Sequence, residues 1–292
     1  MDATREGEMF DFYKMRKNQV HKFRPKVEIS HSIGSFQLKT VSNSEELIEA
    51  LKLRYQVFHR EMIGKTKPHG IDVDEFDFVC DHLIIRDQRS NRIVGTYRLN
   101  CSLFSNRFYS ENEFEMAPIL TSKGTKLELG RACIDKEFRR GAVISLLWKG
   151  IALYMAKTNS DLVFGCASVK TQSPRQAALL YRYFEEQNRF RADYFCPPKE
   201  KFSMPNIDLW IQSLDRDLSL EEGSEAEALV PSLCQAYLKA GAYLGGEPAY
   251  DEEFKCIDFL TILEKDDLNK TLWKKHTANP TPAATELQVS AS

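Results

Sequence analysis

Glu128 and Arg131 stand three residues apart inside an otherwise apolar run, LELGRACI at 127–134. A carboxylate can take up a proton and a guanidinium can hold an anion, so the two form a candidate catalytic pair. Side chains alternate along a strand, so a regular strand sends positions three apart to opposite faces. Gly130 is the natural place for a β-bulge, which would turn both side chains into one cleft and free backbone N–H and C=O groups for a ligand. On these residues alone, an internal ion pair near a sheet edge is the alternative.

Just downstream, Arg139, Arg140 and Gly141 precede an apolar helical run. A helix start offers free N–H donors and the positive end of the helix dipole, and a glycine lets a phosphate approach the backbone. Arginines add charge-assisted bonds, so this turn is a candidate phosphate site, with a solvated polar loop as the alternative. Upstream, LRYQVFHRE places Arg54, Phe58 and Glu61 on one helical face. Asp72, Asp74, Asp77 and Asp81 follow in a cluster that suits a cationic small substrate, or else a solvated acidic loop. The cluster lacks the loop glycine and terminal glutamate of a calcium-binding EF-hand, and Cys80 and His82 have no partners at zinc-ligand spacing. Arg98 puts a charge into the apolar strand pattern VGTYRLN. Cys133 reads as a buried structural thiol, since no histidine lies near it in sequence to activate it. There is no GxSxG elbow and no Walker or dinucleotide-binding glycine pattern.

Periodicity supplies the elements that must position these groups. SFQLKTV reads as a strand, and SNSEELIEALKLRYQVFHREM as a helix with a capping box from Ser42 and Glu45. CDHLIIRD and RIVGTYRLN read as a hairpin closed by the turn QRSN. Strand TKLELGRACI, a helix over GAVISLLWKGIALYMAKT and buried strand DLVFGCASV follow. SPRQAALLYRYFEEQ is a helix with proline in its first turn, ALVPSLCQAYLKAG a helix ending at Gly241, KCIDFLTILE a strand and DLNKTLWKKH a short helix. The order predicts one α/β domain over residues 30–276, preceded by a basic, aromatic arm at 1–29 and followed by a disordered tail at 277–292.

The totals are those of a globular chain: 292 residues, 42% hydrophobic, 28% charged, net charge −2. The near-neutral balance gives no argument for nucleic-acid binding. No apolar run reaches membrane-spanning length, and MDATREGEMF lacks the basic start and apolar core of a secretory signal. Seven cysteines without a CxxC pair read as reduced thiols of a cytoplasmic protein. Aromatic and methionine residues alternate with lysine and arginine over residues 9–26, a pattern that suits peripheral contact with an anionic membrane face.

The series Arg54, Phe58, Asp74, Asp77, Arg98, Glu128 and Arg131 resembles that of the acyl-homoserine-lactone synthases. The wider text is still more similar to the L-ornithine Nα-acyltransferases: DVDEFDFVCDHLIIRD, VGTYRL, FYSENEF, ELGRAC, RRGAVISLLWKGI, FGCAS and the stretch from Pro231 to Leu263. The resemblance spans about residues 45–265. It implies the GNAT acyltransferase fold, a mixed sheet flanked by helices, and transfer of a (3-hydroxy)fatty acyl group from acyl carrier protein to the α-amine of ornithine, giving lyso-ornithine lipid. Under it, Glu128 is the base, with Arg131 beside it. The Gly130 backbone, Arg139, Arg140 and Gly141 hold the phosphopantetheine arm, and the thioester needs no cofactor or metal. Arg54, Arg98 and Arg131 pin a carboxylate or organise the cleft, and Asp74, Asp77 and Asp81 hold the side-chain ammonium. Phe58 belongs to the substrate pocket. GNAT enzymes that use coenzyme A usually carry Arg/Gln-x-x-Gly-x-Gly/Ala; here Phe138 and Val143 stand at its first and last positions, which fits a carrier-protein donor. The tryptophan that homoserine-lactone synthases carry soon after Phe58 is missing, against an S-adenosylmethionine substrate. A coenzyme A-dependent enzyme acting on another small amine and a non-catalytic carrier-protein or membrane-binding module remain as other readings.

Overall fold

The computed structural model describes residues 20, 22–64, 66, 70–139 and 142–268. The strands are β1 (Ser30–Ile33), β2 (Phe36–Thr40), β3 (Asp81–Asp87), β4 (Arg92–Cys101), β5 (Thr125–Ile134), β6 (Ser160–Val169), β7 (Tyr243–Leu244), β8 (Ala249–Asp251) and β9 (Cys256–Glu264). The α-helices are α1 (Ser44–Arg54), α2 (Ala117–Thr121), α3 (Val143–Thr158), α4 (Pro174–Glu186), α5 (Ile207–Ser213), α6 (Leu220–Leu229) and α7 (Ser232–Ala240). The strands form one mixed sheet in the order β1-β2-β3-β4-β5-β6-β9-β7, with β8 also paired to β9. Only β5 and β6 run parallel, and α3 makes the crossover between them.

Alternation along β3 shows how the sheet is sandwiched. Leu83 and Ile85 pack with Leu146, Leu147 and Ile151 of α3, whereas Ile84 faces Leu47 and Leu51 of α1. The β6–β9 half is covered by α4 and α7, whose Leu180, Phe184 and Cys234 meet Val169, Ile257 and Phe259. Val20, Phe23, Val27 and Ile29 are buried as well, so the chain ahead of residue 30 packs into the body from Val20. Residues 1–19, the helix expected from Asp267 beyond its first two positions, and the expected tail lie outside the described residues.

Two features of β5 create an opening in the sheet. Its pairing with β6 runs from Thr125↔Ser160 to Glu128↔Phe164 and then stops, so the two strands part. At the apex a side chain on Gly165 would stand 2.1 Å from the Leu129 carbonyl oxygen, and glycine permits that approach. The expected bulge lies one residue beyond Gly130. Thr96 pairs with Cys133 and Arg98 with Gly130, so Tyr97 alone opposes Arg131 and Ala132. Arg131 takes the left-handed conformation, φ 51°, which costs a non-glycine residue conformational energy.

Three local expectations are corrected. Asn43, not Ser42, caps α1: its side chain accepts from Glu46 N, while the Glu46 carboxylate accepts from Ser42 N. Beyond Arg54 the helix continues to Ile63 as a π-helix. The helix expected across residues 228–241 is broken at Pro231. Ahead of that break, α6 carries a Ser219–Glu222 capping box. Among the described residues, no helix is long and apolar enough to cross a membrane.

Candidate functional site

The opening between β5 and β6 leads into a cavity of about 680 Å³. Phe58 and Met62 of the π-helix, Leu147 and Trp148 of α3, and Leu233 and Ala236 of α7 give it apolar walls. Arg98, Glu128, Gly130 and Arg131 border it from β4 and β5, and Cys166, Ser168, Asp251 and Asp258 from β6, β8 and β9. The parting of the strands thus places an apolar compartment and ionisable groups on one cavity.

The arginines and the acidic loop are largely committed to each other. Arg54 is fully buried; its Nε donates to Asp72 Oδ2 at 2.8 Å and its Nη1 to Asp77 Oδ1 at 2.5 Å. Arg98 Nη1 donates to Asp74 Oδ1 at 2.6 Å and Asp77 Oδ1 at 3.1 Å. Arg131 Nη2 reaches Asp74 Oδ2 at 3.1 Å. His59 Nε2 also meets Asp72, at 3.0 Å. Burial works against the charged carboxylates, but the guanidinia outweigh it and hold Asp72 and Asp74 well below the usual carboxylate range. The expected role of Asp74 and Asp77 in holding a substrate ammonium is therefore corrected: arginines occupy them, and Asp77 is sealed from solvent. Arg54 is likewise a brace beneath the cavity. Arg98 and Arg131 face it, with the Arg131 guanidinium 4.7 Å from the Tyr109 ring centroid and 5.4 Å from that of Phe254.

Asp81 is not brought to the cavity. Its carboxylate accepts from Lys26 N at 2.8 Å, Val27 N at 3.0 Å and the Tyr154 hydroxyl at 2.8 Å, fastening the entering chain to α3. Glu128 is at the cavity, buried and well supplied with donors. Its Oε1 accepts from Ser110 N and Oγ, both at 2.7 Å, and its Oε2 from Tyr109 N at 2.9 Å and Asn100 Nδ2 at 3.4 Å. Burial nevertheless leaves its carboxyl above the ordinary value. Arg139 also borders the cavity, but it holds Glu61 through two hydrogen bonds and donates from Nε to Ile134 O at 3.1 Å. A phosphate reaching Arg139 must compete with Glu61. Arg140 and Gly141 lie outside the described residues. Burial pushes the Cys133 thiol up to about 12, so it stays protonated at neutral pH.

A second polar group is absent from the expectations. Ser110 Oγ lies 2.7 Å from Glu128 Oε1 and 3.5 Å from Cys166 Sγ, and Cys166 in turn lies 3.6 Å from Glu113 Oε2. Burial and the neighbouring Asp258 and Asp251 push Glu113 far up. Burial, with Asp251 beside it, pushes Asp258 up to about 6. The available signal was the strand KCIDFLTILE, where Cys256 and Asp258 share one phase of an otherwise apolar alternation. Among the described residues, Asp251, Cys256 and Asp258 form a group able to hold a metal ion, their ligand atoms within 4.8 Å of one another.

Comparison with known proteins gives this geometry a context. Residues 53–149 match the family model described as an acetyltransferase (GNAT) domain, and the mixed sheet to which they contribute β3, β4 and β5 has the GNAT fold. A solved structure of a CoA-dependent acyl-homoserine lactone synthase, BjaI, aligns with TM-score 0.47 at 14% identity, covering 87% of this chain and 92% of that one. The L-ornithine N(alpha)-acyltransferase of Brucella abortus is 30% identical over 247 residues, 79% of this chain and 85% of its own. The protein of the same name from Agrobacterium fabrum is also 30% identical over 247 residues, covering 79% of this chain and 81% of that one. With that identity sustained across about four-fifths of both sequences, the chain belongs to the L-ornithine Nα-acyltransferase family.

Proposed function

We propose that this protein transfers a (3-hydroxy)fatty acyl group from acyl carrier protein to the α-amine of L-ornithine, giving lyso-ornithine lipid. The observation that carries the reading is the cavity at the parting of β5 and β6, with apolar walls from three helices and the Arg98 and Arg131 guanidinia beside Glu128 at its border. Its volume falls in the usual range for ligand sites, roughly 300–1,000 Å³. The apolar walls suit an acyl chain. Arg98 and Arg131, held in place by the aspartates, suit the amino-acid carboxylate.

The α-amine must attack as the neutral form, and its ordinary pKa is about 8. Glu128, directly or through the Ser110 hydroxyl, takes the proton. The nitrogen lone pair adds to the thioester carbonyl carbon, and backbone N–H groups of β5 that no longer face β6 receive the oxyanion. Collapse breaks the C–S bond and forms the amide, and the departing thiolate takes up a proton. The thioester carries the acyl group already activated, so no redox cofactor or metal enters the scheme. Arg139, Arg140 and Gly141 hold the pantetheine phosphate, while Phe138 and Val143 occupy the positions where coenzyme A users carry Arg/Gln and a small residue. The amphiphilic product suits an enzyme working at the cytoplasmic membrane face.

The test is acyl transfer by the purified protein. Acyl-carrier-protein and acyl-coenzyme A thioesters are each offered with a panel of standard amino acids plus ornithine, and N-acyl products are read by mass spectrometry. The expected result is N-acyl-ornithine from the carrier-protein donor. Preference for acyl-coenzyme A overturns the donor, preference for another amino acid overturns the acceptor, and the absence of any acyl-amino acid overturns the function.

A further inference from the structure

Two groups of buried carboxylates lie close to the cavity, and only one is neutralised. Asp72, Asp74 and Asp77 face Arg54, Arg98 and Arg131 in hydrogen bonds and ion pairs. Glu113, Asp251 and Asp258 are also buried, yet none has a lysine or arginine in ion-pair range among the described residues; Arg131 acts on Asp258 only from beyond that range. Their donors are weak or few. Asp258 Oδ1 accepts from Ser168 Oγ at 2.5 Å, but its Oδ2 has a thiol, Cys256 Sγ, at 3.8 Å. Asp251 Oδ1 accepts from Phe254 N at 2.9 Å. Gathering uncompensated carboxylates away from water is unfavourable, and proteins hold such groups where a cation completes them.

Asp251 and Asp258 border the same cavity as Glu128 and Arg131. Arg131 is held there by Asp74 and Asp72. We infer that Asp251 and Asp258, backed by Glu113, bind the distal ammonium of the amino-acid acceptor and so select a diamino acid over a neutral one. The inference rests on the acyltransferase reading above and assigns its acceptor specificity. A carboxylate near Arg131, an α-amine near Glu128 and a second ammonium at the β8–β9 hairpin give each charged group of the acceptor an opposite charge. The thiols and hydroxyls around the cluster donate to its carboxylates without placing a positive charge in contact with them. An ammonium with three N–H donors suits several convergent carboxylates.

The test compares ornithine with norvaline, which has the same chain without the distal amine, in wild type, Asp258→Asn and Asp251→Asn. The donor is saturating acyl-carrier-protein thioester, and kcat/KM is measured for both acceptors. Calorimetric titration of each amino acid into each protein provides a readout that needs no turnover. Wild type is expected to favour ornithine by about 100-fold, the scale of hydrogen bonds to a buried charge. Each asparagine variant is expected to reduce that ratio by about 10-fold or more. Unchanged thermal melting shows that the variant is folded, and two separate variants guard against one that is not. A wild-type ratio near one, or a ratio preserved in both folded variants, overturns the subsite while leaving acyl transfer intact. If no amino acid is acylated but calorimetry shows an ornithine preference that Asp258→Asn abolishes, the subsite stands and the reaction assignment falls. Stoichiometric zinc or manganese in wild type that is lost in Asp258→Asn makes the cluster a metal site and overturns the ammonium assignment.

Discussion

Replacing Glu128 by glutamine separates two jobs that its position combines. The carboxylate offers acceptors on both oxygens: Ser110 N and Oγ meet Oε1, and Tyr109 N and Asn100 Nδ2 meet Oε2. A glutamine keeps one acceptor oxygen and gains an NH₂ donor. With the NH₂ on the Oε1 side, the Ser110 hydroxyl can turn to accept, but the Ser110 N–H is left facing a donor. With it on the Oε2 side, the Tyr109 N–H is opposed instead. Asn100 cannot relieve this freely, because its Nδ2 also donates to Arg107 O at 2.8 Å. Either arrangement leaves one backbone N–H unsatisfied in the interior, a loss of about 1–3 kcal/mol. Removing a carboxylate that burial disfavours offsets part of this. A net loss of about 2 kcal/mol corresponds to a fall in Tm of roughly 3 °C for a chain of 292 residues. As general base its loss lowers kcat by about 10²–10⁴-fold. Scanning calorimetry and single-turnover acyl transfer on Glu128→Gln read the two effects separately. Unchanged Tm refutes the hydrogen-bond argument. Wild-type turnover in a protein whose Tm has fallen removes Glu128 as the base and leaves it as the anchor of the Tyr109–Ser110 turn.

Other perturbations test other parts of the site. Arg54→Met leaves Asp72 and Asp77 buried without their shared cation and should cost about 3–5 kcal/mol in chemical denaturation. Gly165→Ala places a methyl 2.1 Å from the Leu129 carbonyl, so the apex must move; a loss of about 3 kcal/mol is expected, with altered acceptor KM. Glu61→Gln frees Arg139 and should lower KM for the thioester donor, whereas Arg139→Ala should raise it, both effects shrinking as salt is added. Asp258 has a folded pKa of about 6 against an ordinary 3.8, so the folded state binds its proton more tightly. Its contribution to stability is present below the unfolded value and is lost as pH rises through about 6. Denaturation from pH 4 to 7 should show that fall in wild type and a flatter curve in Asp258→Asn.

The strand alternation and helical periodicity were sufficient to place β2–β6, α3, α4 and β9, because each buries a face that its spacing already declares. The bulge was legible as a need, to bring Glu128 and Arg131 together, but its position was not. Glycine is the residue that most easily leaves the regular strand, yet here Arg131 adopts the left-handed conformation beside Gly130. The aspartate loop shows a different limit. Its acidic spacing suggested affinity for a cation, and the cations proved to be Arg54, Arg98 and Arg131, brought in from α1, β4 and β5 by pairings that sequence distance conceals. The break at Pro231 was readable in principle, since proline removes a backbone donor inside the pattern that suggested one helix.

The two carboxylate groups carry the strongest functional argument when they are weighed against each other. Asp72, Asp74 and Asp77 sit opposite three guanidinia in a network whose charges balance, so its contribution is rigidity: it fixes Arg98 and Arg131 at the cavity. Glu113, Asp251 and Asp258 have the same side-chain chemistry and comparable burial, but thiols and hydroxyls where the first group has arginines. A fold seeking only stability gains nothing from that second arrangement, since apolar residues of similar volume would pack there without the charge penalty. Beside a ligand-sized cavity, the cluster is suited to a cation that arrives from outside the chain and draws these carboxyls back to the charged form. An acceptor bearing an amine at each end supplies one cation to this cluster and one nucleophile to Glu128, which joins the two halves of the cavity in a single substrate.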